Sequence, residues 1–400
     1  LWTCPFCPLA CDHLGVRVTA GAMTLEGGDC PRARAGLGAP GLTDDKPAEP
    51  GLIDGTACTL DQAVAAAAAT LSAATQPLFA AMATDVAGAR ALYPLACAVG
   101  AICDGDAAAM PLLRALQDRG QFTTTLAEVR TRADVIVFVG GVPLTQAPLI
   151  GERCGIGEAG PARRVVVLGA SDDAAEQRAL AAWSAAGVAV QTLALHDGDL
   201  FATLALLSVP HPPEPWAALA EQLRAARYAV LIGSAARLPA QGALIVEAVN
   251  NLVGRLNQTT RAAALWIGSA SVQHTFTWLS GLPLRTQCGP ALQHEPHLFD
   301  TRRLLAEHAV DALLWVSSFE AAVPPPCDLP LVVLGPPALA AACRREGTVF
   351  IAVGTPGIGH AGHVLRTDGT VMMPLHAVRH ESLPSVSEVA QRLLAKVHSS

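Results

Sequence analysis

The sequence contains few charged and few aromatic residues. Asp, Glu, Lys and Arg make up 15% of the 400 residues and aromatic residues 4%, whereas 51% are hydrophobic. The net charge is −7 and no run of Lys or Arg occurs, so nucleic acid is not an expected partner. The hydrophobic content excludes a disordered chain, and the 35 Gly and 29 Pro indicate many turns between short elements.

The sequence also lacks an apolar run that predicts a transmembrane helix. The longest weakly charged stretch, residues 62–84, contains Pro77 and is typical of a helix followed by a strand. The chain does not start with the basic segment and apolar core of a secretion signal. Eleven cysteines, an odd number, in such a chain favour a reducing compartment, and we expect the cytoplasm.

Four of these cysteines are concentrated near the start of the chain. Cys4, Cys7, Cys11 and Cys30 follow the spacing C-x2-C-x3-C-x18-C. The first three share a tight loop and the fourth returns from a predicted hairpin, so the thiolates can converge on one metal centre. An iron–sulfur cluster suits this set, and zinc would accept the same four sulfurs. The remaining interpretation is a group of reduced thiols in a loop.

The rest of the sequence alternates between helical and strand patterns. Short, continuous apolar segments such as 134–139 and 164–168 are typical of parallel strands that helices cover on both faces. The sequence therefore predicts an α/β protein with two doubly wound parallel-sheet lobes after a small cysteine module. The predicted boundaries are 1–46 for the iron–sulfur-type cysteine module, 47–209 for the first lobe, and 210–400 for the second lobe with the C-terminal segment.

Two predicted helices carry clear N-terminal signals. Thr59 precedes an apolar helical pattern over 60–74 and is a suitable N-cap. The last helix is predicted over 387–397, opening on Ser387 with Glu388 in its first turn.

Several segments, taken in order, resemble the large B subunit of formylmethanofuran dehydrogenase, a relative of the molybdenum- and tungsten-pterin formate dehydrogenases. Besides the cysteine module they are the segment 132–140, Asn257 after a predicted helix, and 281–283. Near the end, Gly357-Ile-Gly-His-Ala-Gly and then Leu365-Arg-Thr-Asp-Gly369 resemble the family's stretch that ends in Arg-x-Asp-Gly. The resemblance implies a formate dehydrogenase-like, pterin-oxidoreductase-like fold and a [4Fe–4S] cluster on the four cysteines.

The sequence departs from that family at the positions that matter for redox chemistry. The family's metal needs a cysteine thiolate and a neighbouring histidine, and the matching positions here are Met110 and Pro111. A thioether is a poor ligand for high-valent molybdenum or tungsten, and proline offers no side-chain nitrogen. The family's Gly-x-Asn-Pro and His-Pro-Arg are replaced by residues 140–143 and 147–149, which are apolar. We therefore expect no molybdenum or tungsten pterin and no catalytic residue, with Met110 and Pro111 buried.

These losses would be tolerated in the B subunit of the bacterial formyltransferase/hydrolase complex. As the resemblance implies, that complex of C1 metabolism and methylotrophy moves a formyl group between tetrahydromethanopterin and a methanofuran-type carrier. It hydrolyses the formyl group to formate on a separate amidohydrolase-like subunit. The chain would then be a non-redox scaffold subunit of a hetero-oligomer that binds the carrier. Two alternatives remain: an active pterin-dependent dehydrogenase subunit, or an iron–sulfur electron carrier with the same fold.

Other residues could form sites but fit structural roles better. The two histidine pairs, each with two residues between the histidines, lack a third ligand, and the serines lack a nucleophile-elbow context. Two aspartates could replace the lost cysteine as a metal ligand, although the altered pterin turn argues against it. These residues are His294 and His297, His360 and His363, Asp104 and Asp106, and Ser171, Ser234 and Ser271.

Overall fold

The computed structural model describes residues 2–39, 50–105, 110–239, 241–268 and 271–399. Its strands, in chain order, are β1 (Gly15–Thr19), β2 (Ala22–Glu26), β3 (Gly51–Ile53), β4 (Thr56–Cys58), β5 (Pro77–Ala83), β6 (Ile102–Cys103), β7 (Val135–Val139), β8 (Arg164–Leu168), β9 (Ala189–Leu193), β10 (Tyr228–Ser234), β11 (Arg261–Ile267), β12 (Thr286–Gln287), β13 (Gln293–His294), β14 (Ala312–Ser317), β15 (Leu331–Gly335), β16 (Thr348–Ala352), β17 (Gly362–Leu365) and β18 (Met372–Leu375).

The α-helices are α1 (Pro31–Leu37), α2 (Leu60–Ala73), α3 (Val86–Val99), α4 (Met110–Arg119), α5 (Leu126–Arg132), α6 (Ile150–Arg153), α7 (Ala174–Ala185), α8 (Leu200–Leu207), α9 (Trp216–Ala225), α10 (Gly242–Leu256), α11 (Ser271–Ser280), α12 (Thr301–Ala306) and α13 (Val386–Val397). None of the described helices is both long and apolar enough to cross a membrane. The predicted α/β fold class is confirmed.

The chain folds into two compact units, and its two ends belong to the same one. Unit 1 comprises Leu1–Ala107 and Ser269–Ser400, and unit 2 comprises Ala108–Gly268. This division differs from the consecutive lobes predicted over 47–209 and 210–400. The reason is long-range pairing: β14 lies beside β5, and β10 lies beside β7. Periodicity along the chain identifies strands, but it does not identify their neighbours.

Unit 1 is built around a nine-stranded sheet in the order β13-β12-β6-β5-β14-β15-β16-β3-β4. Its centre, from β6 to β16, is parallel, and antiparallel strands extend both edges. One apolar core contains buried residues from α2, α3, α11 and α13, and a second includes α12. In this sheet β5 stands between β6 and β14, so the chain order reverses between β5 and β14. Such a reversal opens a crevice at the carboxyl ends of the two strands, where doubly wound proteins bind ligands.

Unit 2 has a parallel sheet in the order β11-β10-β7-β8-β9. The chain runs outward from β7 to β9 and then returns to the other side of β7 for β10 and β11. Buried side chains of α8, α9 and α10 form a core against the sheet. Elsewhere in the unit, Trp183 of α7 stacks on Phe138 with ring centroids 5.8 Å apart. The switch point of unit 2 therefore lies between β7 and β10.

The two N-terminal helix signals have different outcomes. Thr59 caps α2 in a capping box with Gln62, as the sequence predicts. The final helix begins at Val386 rather than at Ser387, because Ser385 is its N-cap. Ser385 Oγ accepts from the Glu388 amide at 3.2 Å, and the Glu388 carboxylate accepts from the Ser385 amide at 2.7 Å. That reciprocal pair needs a spacing of three residues between partners, which Ser387 and Glu388 do not have.

Candidate functional site

The cysteine module is a folded loop in which the thiols lie close together. The Cys4 amide donates to the Cys11 carbonyl at 2.8 Å, and the Ala10 amide donates to the Cys7 carbonyl at 3.1 Å. The hairpin β1–β2 then leads to Cys30, the N-cap residue of α1. Cys4, Cys11 and Cys30 are buried and Cys7 is half-buried. Arg32 of α1 donates from Nε to the Phe6 carbonyl at 2.9 Å, so the helix that follows Cys30 is joined to the cysteine loop.

Three of the four thiols, those of Cys4, Cys7 and Cys30, have different tendencies to ionise. Burial raises the pKa of Cys4 and, less strongly, that of Cys30. A hydrogen bond from Cys11 is the main cause that lowers the pKa of Cys7, to about 7. The charge of a Cys7 thiolate raises the pKa of both Cys4 and Cys30, which shows that these sulfurs interact. Apart from metal binding, Cys7 would therefore be the first of these three to ionise.

No metal site is preformed in the part of the chain that the structure describes. Nowhere in it do three His, Cys, Asp or Glu side chains stand together so as to hold a metal ion. The assignment of Cys4, Cys7, Cys11 and Cys30 as ligands stays a prediction. The histidine pairs are engaged differently: His294 Nδ1 lies 3.0 Å from the Arg285 carbonyl, and His360 Nε2 lies 3.0 Å from the Gly354 carbonyl.

The module is attached to the C-terminal segment that carries the Arg-x-Asp-Gly sequence. Trp2 Nε1 donates to the Gly357 carbonyl at 2.9 Å, and the Thr367 amide donates to the Pro8 carbonyl at 2.8 Å. Arg366 Nε donates to the buried Asp368 carboxylate at 2.8 Å. The cysteine loop thereby fixes the position of this segment.

The two residues at the positions of the lost metal ligands open helix α4. Met110 is its first residue, and both Met110 and Pro111 are half-buried, so the prediction that they are buried is wrong. Pro111 packs at the start of α10, where a Cβ on Gly242 would lie 3.3 Å from its ring. Proline is favoured in the first turn of a helix because the amide it lacks would have no helical partner there. Pro111 thus has a structural role in place of a ligand's role.

The switch point of unit 2 is filled by an arginine that no sequence motif indicated. After β7 the chain turns through Gly140 and Gly141, with φ of 78° and 87°. Arg237, which follows β10, donates from Nη1 to the Val142 carbonyl at 2.5 Å. A Cβ on Gly141 would lie 2.5 Å from Arg237 Nη2, so the guanidinium rests against the glycine backbone. A dinucleotide phosphate would need this same approach to the turn.

A buried carboxylate lies beside that arginine. The side chain of Glu176 is 2% exposed and lies 3.9 Å from Arg237 Nη1. It also accepts from the Ser171 hydroxyl at 2.8 Å. Arg237 and Glu176 thus form an ion pair beside the glycine turn that follows β7.

The switch point of unit 1 is closed by backbone and side-chain hydrogen bonds. The Ser318 amide donates to the Ala83 carbonyl at 2.8 Å, and its hydroxyl donates to the same oxygen at 3.1 Å. Next to it the buried Asp85 caps α3, and a Cβ on Gly362 would lie 2.6 Å from that carboxylate. The bonds of Ser318 thus continue the pairing of β5 with β14 at the carboxyl ends of the two strands.

Asp104 is engaged in the protein and is not available to a metal. Its carboxylate accepts from Arg285 Nε at 3.2 Å, from the Thr301 amide at 2.8 Å and from the Thr301 hydroxyl at 2.7 Å. Arg285 also pairs with Asp300. The structural interpretation of Asp104 is supported, whereas Asp106 lies outside the described residues.

Three serine hydroxyls also have structural partners. Ser171 donates to Glu176, Ser234 Oγ lies 3.5 Å from the Ile267 carbonyl, and Ser271 Oγ accepts from the Leu365 amide at 2.8 Å. These partners are a carboxylate and backbone groups, whereas a serine nucleophile needs a base such as histidine beside its hydroxyl.

Comparisons with known proteins show which family the chain belongs to. No family model matches the sequence. The sequence is 30% identical over 360 residues to the B subunit of the formyltransferase/hydrolase complex Fhc of Methylorubrum extorquens, covering 86% of this chain and 96% of that protein. This chain belongs to that family of B subunits. The predicted resemblance is confirmed.

A solved structure extends the relationship to the fold. The crystal structure of the FhcABCD complex of M. extorquens with methylofuran contains a chain that matches with a TM-score of 0.74 and 26% identity. The match covers 87% of this chain and 99% of that one. The shared fold therefore spans both units of this chain.

Proposed function

We propose that this homologue of the Fhc B subunit is a non-redox scaffold subunit of a formyltransferase/hydrolase complex. Its partners are the other subunits of such a complex and, through them, a methanofuran-type carrier of the formyl group. The relative from M. extorquens belongs to such a complex, and the related crystal structure holds methylofuran. Because none of the eleven cysteines, all of which lie in the described residues, is in a disulfide, we place the assembly in the cytoplasm.

One observation carries the non-redox part of the proposal. Arg237 lies against the Gly141 backbone at the switch point of unit 2, with Val142 and Glu176 as its partners. A pterin nucleotide would have to displace this guanidinium and face the Glu176 carboxylate. Met110 and Pro111 offer no anionic sulfur and no imidazole for the metal itself.

We also propose that Cys4, Cys7, Cys11 and Cys30 hold a [4Fe–4S] cluster rather than a zinc ion. A cluster distributes its four thiolates over four irons, so its ligands stand further apart than those of one ion. What supports the proposal is that the Cys7 thiol interacts electrostatically with Cys4 and Cys30 and is hydrogen-bonded by Cys11. Bound here, a cluster would fix the module and could carry one electron. That capacity is what favours an electron-carrier function as the second candidate.

The test is to co-express this chain with the other subunits and to purify the assembly without oxygen. The complex should contain this chain and release formate from a formyl-methanofuran substrate, while reducing no artificial dye. The double variant Met110→Cys, Pro111→His should remain unable to reduce the dye, because Arg237 and Glu176 still occupy the crevice. Dye-linked oxidation by the unmodified complex would overturn the non-redox assignment, and failure to co-purify would overturn membership of the complex.

A further inference from the structure

The strand β9 forms one edge of the sheet of unit 2. It pairs with β8 in parallel register along its whole length, and no strand of the described part of the chain lies on its other side. The Gly169 amide donates to the Leu193 carbonyl at 2.9 Å, so Leu193 points its backbone groups towards β8. Because this direction alternates along a strand, Val190 and Thr192 point their amides and carbonyls away from the sheet.

The other edges of the two large sheets are short or covered, whereas β9 is neither. At the opposite edge of the same sheet, the Ala264 amide of β11 donates to the Phe122 carbonyl at 2.8 Å. In the nine-stranded sheet the edge strands β13 and β4 have two and three residues. Strand β9 has five residues, with no charged side chain and no proline. An edge of this kind is a template for another strand, because proteins otherwise shorten, charge or cover their edges.

The backbone of β9 is complementary to itself. When two copies lie antiparallel about a twofold axis through Gln191, Val190 of one copy stands opposite Thr192 of the other. Both residues point their amide and carbonyl outward, so each such pair exchanges both of its N–H···O=C bonds. Residues 189–193 of the two copies then overlap completely, and no like charges meet. The opposed side chains are β-branched, which suits a strand pair.

We propose that β9 is a dimerisation edge at which this chain binds a second copy of itself, so that two unit 2 sheets join into one. A twofold interface uses the same surface on both copies, and the alternation of backbone groups in β9 meets that condition. A second copy also supplies an extended, uncharged strand of matching length that is ordered before it binds, which lowers the entropic cost of pairing. Nothing in this pairing depends on the other subunits of the complex.

Cysteine cross-linking of the full-length chain tests the pairing and its register. In a non-hydrogen-bonded antiparallel pair the Cα atoms are about 4.5 Å apart, which a disulfide can span. With diamide as oxidant, Gln191→Cys should raise the dimer on a non-reducing gel at least tenfold above that of the unmodified chain, and dithiothreitol should reverse it. Ala189→Cys is the matched control on the same face of β9. Its two copies would lie roughly 14 Å apart along the strands, so the dimer should stay at background.

The variant Val190→Pro tests the hydrogen bonds of the edge. Proline removes an amide that faces solvent in the single copy, and edge strands tolerate proline at such a position. Light scattering after size exclusion should give the mass of a dimer for the unmodified chain and that of a monomer for the variant. Far-UV circular dichroism of the two proteins should be the same. A dimer of Val190→Pro that is as stable as that of the unmodified chain would refute the pairing.

Two further outcomes would overturn the dimerisation edge while leaving the proposed function intact. The first is an unmodified chain that stays monomeric at every concentration measured, or two cysteine variants that cross-link equally. The second is cross-linking of Gln191→Cys to a co-expressed subunit in place of its own copy, which would show that the occupant is another chain.

Discussion

Replacement of Asp104 by alanine tests whether this residue, which directly follows β6, stabilises unit 1. The Asp104 side chain is 2% exposed, and the Arg285 side chain with which it pairs is 10% exposed. The carboxylate also accepts two hydrogen bonds from Thr301. Alanine would remove the acceptor and leave the Arg285 guanidinium buried with Asp300 as its remaining carboxylate.

The expected loss of stability is large. Removing one partner of a buried ion pair costs about 3–5 kcal/mol because the other charge stays desolvated. In a domain of this size each kcal/mol lowers Tm by about 2–4 °C, so Tm should fall by roughly 6–20 °C. The Tm of Asp104→Asn should lie between those of the unmodified chain and of Asp104→Ala, since an amide oxygen still accepts hydrogen bonds but carries no charge.

Differential scanning calorimetry on the purified chain measures this effect. Asp328→Asn is the control, because Asp328 is an exposed aspartate of the same unit. Its free energy of unfolding should change by less than about 0.5 kcal/mol. If Asp104→Ala melts within about 2 °C of the control (roughly 1 kcal/mol or less), the buried network does not stabilise unit 1 and the structural assignment of Asp104 is refuted.

Three further predictions concern ionisable groups. Ser385→Ala should cost about 1 kcal/mol in urea denaturation at pH 7. The Ser385 amide, which alanine keeps, and the Ser385 hydroxyl, which alanine lacks, both lower the pKa of Glu388. The hydroxyl's part of the difference should therefore shrink as the pH falls below 4.5, and a difference that does not change with pH would contradict the pairing of that hydroxyl with Glu388. Burial lowers the pKa of His294, so the free energy of unfolding should fall as the pH drops below about 6.5, where the histidine of the unfolded chain gains a proton. The variant His294→Gln should weaken that dependence on pH. An unchanged pH profile would show that other groups cause it. In metal-free protein at pH 7, iodoacetamide should modify Cys7 before Cys4, because the pKa of Cys7 is lowered and that of Cys4 is raised. Peptide mass spectrometry measures this order, and faster modification of Cys4 would contradict it.

Local structure was predictable because short-range chemistry determines it. The helix after Thr59, the hairpin at Ala20 and the strands β7 and β8 stand where propensity, turn residues and apolar runs place them. The last helix begins at Val386, one residue before its predicted first residue Ser387, because Ser385 has the capping-box spacing to Glu388 and is the N-cap. Strand β11 gave no strand signal, since its alanines are typical of helices.

The tertiary features were not predictable from local patterns. The pairing of β5 with β14 and of β7 with β10 joins segments far apart in the sequence, and therefore the domain division was not foreseen. Arg237 belongs to no sequence motif. Its position just after β10, at the switch point of unit 2, could have suggested a residue that lines the crevice. The replacement of the family's cysteine and asparagine by Met110 and Val142 was visible in the sequence. The position of Arg237 beside the glycine turn became visible only with the fold.

Metal and pterin analysis of the complex, co-expressed and purified without oxygen, tests the central claim most directly. The account predicts neither molybdenum nor tungsten and no extractable pterin, together with about four irons for each copy of this chain. Replacing Cys7 by Ser should remove that iron without preventing assembly. Molybdenum or tungsten in a one-to-one ratio with this chain, accompanied by a released pterin, would contradict the account.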